Sequence, residues 1–549
     1  MNKSERVIQY VISQKKRAKD ASRSRRAKWQ ELWNLYQNRQ DYSAKKDWQS
    51  KCFIPKLYMA VEQSSSMVKR AVLSTRKLFK LEPKLENDEV ARRAAPLVEK
   101  LFKRHLEDSN FANTYGEMIK GAFLLGLGMP KVLWDGGLQF YNVDILNVYI
   151  DPLFEPSEKR PKYIIEYAEM DLADLREMAK DINKRAGKSI YKMREVNKIE
   201  EDFHKQDEEE RRRRRGLSQH QKNDDKKVGL LQYWGDVVSE DGKSVERNRI
   251  LVIANDKYLI RKQKNPFDHQ LPPYVPTVPI VYPHRGICGV SLVEPVVTMQ
   301  YAYNNIVNMV VDNLNFSVNK MFEVRPTQIQ EPRNLTSLYP GKLIFKHTPE
   351  EVVREVRTNN VGNDVYNSLD FLNTEMEKGT AVTEFIMGIS GKNKTATEAE
   401  LKTAQAQGLF DVIARDLENN SLQRVLEMSL DLMFQYGPLA QYQELKGRLK
   451  LRVGGLSLLL AQREQVRNVI EAVTFAVKVP ELRQQTDLKS LWQKYLDLRG
   501  LSEAYTEQPQ KPTMEHAQMI QKKAAEDAKN MVSEMSPSQK NQVLAQMRT

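Results

Sequence analysis

The residues most suggestive of chemistry lie in one loop, Gly388-Ile-Ser390-Gly391-Lys392-Asn393-Lys394. A Gly-Lys pair cradles phosphates when another glycine stands five residues earlier and a Ser or Thr follows to hold magnesium. Here Ile386 takes the first position and Asn393 the last, and the two Gly-Lys-Ser runs, Gly187-Lys188-Ser189 and Gly242-Lys243-Ser244, have Ile182 and Val237 where the first glycine belongs, so P-loop chemistry is not expected. Gly289-Val-Ser291-Leu-Val lacks the second glycine of a nucleophile elbow. The seven histidines (His105, His204, His220, His269, His284, His347, His516) are scattered, with no two at metal-binding helical spacing. Acidic pairs are numerous, as charged helices generate them by chance, and none is marked as catalytic. No catalytic residue, metal or cofactor is expected; a metal-dependent nuclease with dispersed carboxylates stands as an alternative.

Two other patterns concern binding rather than catalysis. The first fifty residues carry thirteen Lys/Arg against five acids, with a block that includes Lys15, Lys16, Arg17, Arg25 and Arg26. Trp29, Leu32, Trp33 and Tyr36 follow at helical spacing. This is either a helix docking its aromatic face and solvating its basic end, or a basic arm touching nucleic acid, and both can hold together. Further on, Asn304, Asn308, Asp312, Asn315 and Asn319 form a polar stripe on a helix. Its apolar stripe runs through Leu292, Val296, Met299, Tyr303, Ile306, Val310 and Leu314. The amides read either as a solvent face or as a surface met by neighbouring subunits or a passing polymer. The run Arg211 to Arg215 abuts Glu208 to Glu210 and reads as a solvated loop or exposed helix. A basic RNA-binding scaffold using that run and the arm is a further alternative.

The elements that must position these residues indicate an α+β, mainly helical chain. Its 549 residues predict three to four folding units. With 40% hydrophobic and 29% charged residues it can build cores, and a wholly disordered chain is excluded. The net charge of +14 points to a polyanion nearby without placing the contact. Two cysteines, Cys52 and Cys288, cannot form a disulfide framework, which suits reducing conditions. No apolar run reaches the length of a membrane span, and the N-terminus lacks the apolar stretch of a signal peptide, so neither a membrane nor a secreted protein is expected. Helices are expected from Pro55 through about Phe79, from Asp88 to Glu107 and from Phe111 to Leu127, then a hairpin around Asp135-Gly136-Gly137. Strands follow at Gly229 to Val238 and Ile250 to Ile260, and the proline-rich passage from Pro266 to Pro283 must be extended. A long helix spans Ser291 to Lys320, and another opens at the capping box Thr395-Ala-Thr-Glu398, with Gly408 as a kink.

The order of these elements resembles the portal (head-to-tail connector) proteins of tailed bacteriophages. The resemblance rests on Gly126-Leu-Gly128 leading to Lys131-Val-Leu-Trp134, on Asn147-Val-Tyr-Ile-Asp151-Pro152 and on Gly289-Val-Ser291-Leu-Val-Glu294. To these it adds the stem-like helix, β-rich insertion, returning helix, Gly/Lys loop and long helix, covering about Lys51 to Gly500. It implies a ring subunit with wing, stem, clip and crown. Residues 1–50 are then a basic arm and 51–288 the wing, with a charged excursion around 182–227. Stem helix 1 is 289–320, the clip 321–363, stem helix 2 364–387, the tunnel loop 388–394 and a long kinked helix 395–437. Wing return follows at 438–480 and a helical crown or tail at 481–549. The resemblance further implies a homo-oligomer, usually of twelve subunits, at one capsid vertex of the virion, assembled in host cytoplasm. Double-stranded DNA would pass through its channel. Terminase large subunit and tail adaptor proteins would dock at the clip, represented by Arg325, Gln328, Glu331, Arg333, Lys342 and Lys346. Major capsid protein and scaffolding protein would meet the wing. The tunnel loop, Gly388, Ser390, Gly391, Lys392, Asn393 and Lys394, would touch DNA, and the Asn stripe would line the channel or join subunits.

Overall fold

A computed structural model of the chain describes residues 3–73, 78–154, 160–199, 227–239, 244–281, 287–319, 321–324, 353–356, 362–382, 408–454 and 469–470. The chain divides into two compact units, Met1–Leu459 and Leu460–Thr549, and almost all described residues belong to the first. That unit is mainly helical with small antiparallel sheets, the expected α+β class.

Helices α1 (Lys3–Ala21), α2 (Arg23–Tyr36), α3 (Lys56–Leu73), α4 (Glu89–Asp108) and α5 (Phe111–Leu125) lead the chain. Asp88 caps α4 by accepting from the Ala91 amide at 3.0 Å, and Arg448 clamps the same carboxylate with two bonds of 2.6 Å. Trp29, Leu32 and Leu35 of α2 enter the core built on α3 and α5, while Trp33 and Tyr36 are half-buried at its margin. The helix expected through about Phe79 is described over Lys56–Leu73, and Phe79 itself is not helical. Phe79–Pro83 is instead strand β1, paired antiparallel with a strand at Leu449–Val453. A ladder partner so distant in sequence overrides the local helical pattern.

Gly126 ends α5 in the left-handed region at φ +77°. The hairpin expected around Asp135-Gly136-Gly137 is present as β2 (Pro130–Trp134) and β3 (Leu138–Asn142). A five-stranded antiparallel sheet then runs in chain order: β4 (Val148–Ile150), β5 (Tyr163–Asp171), β6 (Lys227–Val238), β7 (Val245–Ala254) and β8 (Tyr258–Lys264). Its middle strands are apolar on both faces because both are covered. Val7, Ile8 and Val11 of α1 pack on Leu231, Tyr233, Leu251 and Ile253. On the other side α6 (Leu172–Ala186) and α7 (Met193–Val196) cover Val228, Leu230 and Val252. The single strand expected over 250–260 is two strands, divided by a turn at Asn255 and Asp256. Both residues have positive φ, as a tight hairpin requires.

In the proline-rich passage a turn at 268–269 is followed by bridges from Tyr274 and Thr277 to Lys131 and Gly128. Near its start His269 lies against Phe267, and its Nδ1 accepts from the Leu271 amide at 3.0 Å. Burial pushes the imidazole down to about 4, against the pull of nearby Asp268. A proton taken up by the unfolded chain near pH 6.5 is refused by the folded one until about pH 4. His269 therefore leaves stability intact above about pH 6.5 and lowers it as the pH falls toward 4. His269→Gln should flatten that part of the stability–pH curve, measured by thermal unfolding of both proteins from pH 7 to 4; parallel curves would refute the assignment.

A 3₁₀ turn at Glu294–Val296 opens the long helix α8 (Val297–Val318), in line with the helix expected from Ser291. β9 (Met321–Val324) and β10 (Val353–Val356) pair antiparallel, and α9 (Asn363–Thr380) returns beside α8. From Gly408 a helix runs through a π turn at Glu418–Leu422 into α10 (Gln423–Tyr436), and β11 (Leu449–Val453) closes the unit against β1. The expected kink at Gly408 falls at the edge of the described residues, and within them the helix carries the π turn. The turn delivers Ser421 inward, where its Oγ meets the Tyr115 hydroxyl at 2.9 Å and Thr277 Oγ1 at 2.6 Å. Outside the described residues lie the loop Gly388 to Lys394, the clip residues Arg325 to Lys346, the run Arg211 to Arg215 and the expected C-terminal helices.

Candidate functional site

The root of α8 is where the motif residues converge. Ser291 is fully buried; its Oγ donates to the Phe123 carbonyl at 3.1 Å, and the Leu292 amide donates to the same oxygen at 3.0 Å. A Cβ on Gly126 would sit 2.8 Å from the Gly289 carbonyl oxygen, so the Gly126 turn and Gly289-Val-Ser291 need each other's small size. Arg25 of α2 reaches the same point. Its Nη1 bonds both oxygens of Glu294 at 2.9 Å, and its Nη2 donates to the Gly289 carbonyl. Tyr301, two turns on, donates its hydroxyl to Glu31 of α2 at 3.1 Å. Burial and that carboxylate push the phenol up to about 12, which keeps the proton in place.

Below the root, α8 is stitched to the extended segment Ser50 to Ile54 and to the first turn of α3 by a ladder of side chains. The amides of Leu57, Ile54, Cys52 and Ser50 donate to Gln300 Oε1 (3.3 Å), Asn304 Oδ1 (3.1 Å), Asn308 Oδ1 (2.7 Å) and Asp312 Oδ1 (2.7 Å). Gln300 Nε2 returns a bond to the Ile54 carbonyl at 2.7 Å, and Asn308 Nδ2 one to the Cys52 carbonyl at 3.0 Å. Four helical residues advance about 6.0 Å, and two extended residues about 6.6 Å, so Asn304, Asn308 and Asp312 match the alternate amides of Ile54, Cys52 and Ser50, while Gln300 reaches Leu57 in the first turn of α3. The side-chain amides thus act as a neighbouring strand.

The ladder corrects one expectation. Asn304 and Asn308 are 0% and 1% exposed and hydrogen-bonded within the chain, and Asp312 is half-buried, so these three do not form an outward amide stripe. Only Asn315 and Asn319, past the segment's reach, are exposed. Conversely Met309, Leu314 and Val318 are open to solvent. Spacing revealed the stripe but not which stripe is buried, because an extended backbone segment satisfies amides as well as water does. Gln300, one turn before Asn304, belongs to the ladder and was recognisable by the same spacing.

The basic arm is largely folded onto the body. Arg26 donates to the Leu146 and Val148 carbonyls at 2.6 Å and lies 4.4 Å from the Tyr149 ring centre; Lys15 pairs with Asp256 at 3.6 Å over the Tyr167 ring. Lys16 and Arg17 are exposed. Lys15, Arg25 and Arg26 thus act as anchors within the chain. Among the described residues no group of three His, Cys, Asp or Glu side chains is placed to hold a metal, and no helix is long and apolar enough to cross a membrane.

A helical hairpin carrying a small β-ladder at its far end, rooted in an α+β body, defines the class of stem-bearing ring subunits. The family model described as phage SU10 portal protein matches residues 135–452, more than half of the chain, from β3 to β11. The chain belongs to that family: it is a bacteriophage portal, or head-to-tail connector, protein, a capsid-associated component of an oligomeric ring. No curated protein matches it.

Proposed function

We propose that this portal forms a ring at one capsid vertex, usually of twelve subunits, through whose channel double-stranded DNA is packaged and ejected. The observation that carries the reading is the family match across the α8–α9 pair together with the open apolar residues on those helices, Met309, Leu314, Val318, Tyr366 and Phe371. A closed ring needs heterologous contacts between two different faces of one subunit, and unpaired apolar residues on a projecting hairpin suit that need. In this reading 289–320 and 364–387 are the stem, 321–363 the clip that docks terminase and later tail adaptors, and 51–288 with 438–480 the wing that meets capsid and scaffolding proteins. The protein is a conduit rather than an enzyme, and terminase hydrolyses the ATP.

Sliding DNA disfavours continuous phosphate neutralisation, since every phosphate contact adds salt-dependent affinity. Exposed amides such as Asn315 and Asn319 with a few lysines suit passage, and Lys392 and Lys394 touch phosphates without reading bases. Replacing both lysines by alanine should lower packaging or DNA retention severalfold, scored by encapsidated genome length; unchanged packaging would remove that role. The broader reading is tested by imaging the purified protein in negative stain. Rings with a central channel are expected. Magnesium-dependent DNA cleavage by a monomer, or salt-sensitive RNA binding lost on removing the first fifty residues, would point elsewhere.

A further inference from the structure

Trp48 is 55% exposed although its ring lies edge-on against Phe316 of α8, with centroids 5.1 Å apart. It precedes the laddered segment, so Ser50 on Asp312 fixes its position near the end of the helix. Leu314 and Val318 are 60% and 71% exposed. Each is two residues from Phe316, about 200° round the helix and about 3 Å along it. The tryptophan and the Leu314–Val318 pair therefore occupy opposite sides of one helix at one height. They differ in kind, a large aromatic ring on one side and an i, i+4 aliphatic pair on the other.

We propose that Trp48 of each protomer seats on the Leu314–Val318 pair of the next protomer round the ring. The inference rests on the ring reading and names a specific contact within it. A second copy of this chain is the favoured occupant because a heterologous contact repeated round an axis requires a donor face and an acceptor face at matching height on the same subunit. An unrelated partner imposes no such match. Exposed tryptophan is also the side chain most concentrated at interface hot spots.

The test uses the full chain with Cys52→Ser and Cys288→Ser, carrying Trp48→Cys and Leu314→Cys together. Mild thiol oxidation should give a ladder of covalent multimers on a non-reducing gel, and neither single cysteine variant should. Separately, Trp48→Ala should raise the concentration needed for ring assembly roughly tenfold or more, and Trp48→Phe should restore most of it. Rings that image normally but give no ladder would overturn the contact and leave the ring reading standing; the 48 knob would then serve another partner, such as a tail adaptor. If the double-serine parent and the unaltered protein form no rings, the ring reading fails and this contact with it.

Discussion

Replacing Glu166 by alanine should destabilise the first unit by about 3–5 kcal/mol, the largest loss expected of any single substitution here. Glu166 of β5 accepts from Lys131 of β2 and from the Tyr274 hydroxyl, each at 2.5 Å, and Lys131 also donates to Gln232 of β6 at 3.2 Å. The side chains of Lys131 and Glu166 are 8% and 12% exposed, so solvent screens the pair little. Burial, and then the adjacent carboxylate, holds the Tyr274 phenol well above its ordinary range, so it remains a donor. One carboxylate thereby ties the β2–β3 hairpin, the five-stranded sheet and the proline-rich passage together. Removing it strands an ammonium and a hydroxyl away from water, which costs more than the pair's own net worth. The pairwise double substitution Lys131→Met with Glu166→Leu should therefore recover most of the loss. Denaturant unfolding of the three variants measures this. A Glu166→Ala loss below about 1 kcal/mol, or a double variant no better than the single, would show that the pair is not buried in the way described.

The same cluster shows what the sequence could and could not disclose. Lys131 was prominent as part of a motif, and the strands around it were readable from alternating apolar residues and the Asp135-Gly136-Gly137 turn. Its partner Glu166 was one acid among seventy-two Asp/Glu, with nothing in its local pattern to set it apart. Pairing across elements is a property of topology, and so Phe79, the first residue of β1 and paired with β11, was read as the end of a helix while the rest of β1 was not read as a strand. Helix limits set by chemistry survived better: the Asp88 cap, the Gly126 stop and the Gly437-Pro438 end of α10 stand within a few residues of expectation. The arm was half legible. Its Trp/Leu stripe announced a docked helix, whereas the anchoring of Arg25 and Arg26 depends on the distant Glu294, Leu146 and Val148. Net basicity of a segment says little about solvation when backbone carbonyls and a motif glutamate are waiting for it.

Those anchors give the ladder on α8 its mechanical meaning, and Asn308 is the residue on which it turns. Asn308 is fully buried and makes three side-chain bonds, accepting from the Cys52 amide and donating to the carbonyls of Cys52 and Asn304, the last at 2.7 Å. Asn308→Ala leaves the Cys52 amide and carbonyl without that partner; Cys52 is itself exposed, so each lost bond costs its net worth of about 0.5–1.5 kcal/mol. The carbonyl keeps the Tyr42 hydroxyl at 2.8 Å, which puts the expected total near the lower half of that sum, about 1–2 kcal/mol. The loss should be local as well as global. Among the described residues, 50–54 carry no ladder with another strand, and their attachment to α8 runs through these side chains. Hydrogen exchange at the Cys52 and Ile54 amides should accelerate roughly 5- to 30-fold, the factor that corresponds to about 1–2 kcal/mol. Asn308→Asp should do no better, because it trades the donating nitrogen for an oxygen facing two carbonyls. Asn315→Ala, on the same stripe but exposed, should leave exchange in the segment unchanged. If Asn308→Ala lowers overall stability while the 50–54 amides stay protected, packing rather than the ladder holds the segment. In that case the position of Trp48 would not depend on Asn308, and ring assembly should be insensitive to this substitution.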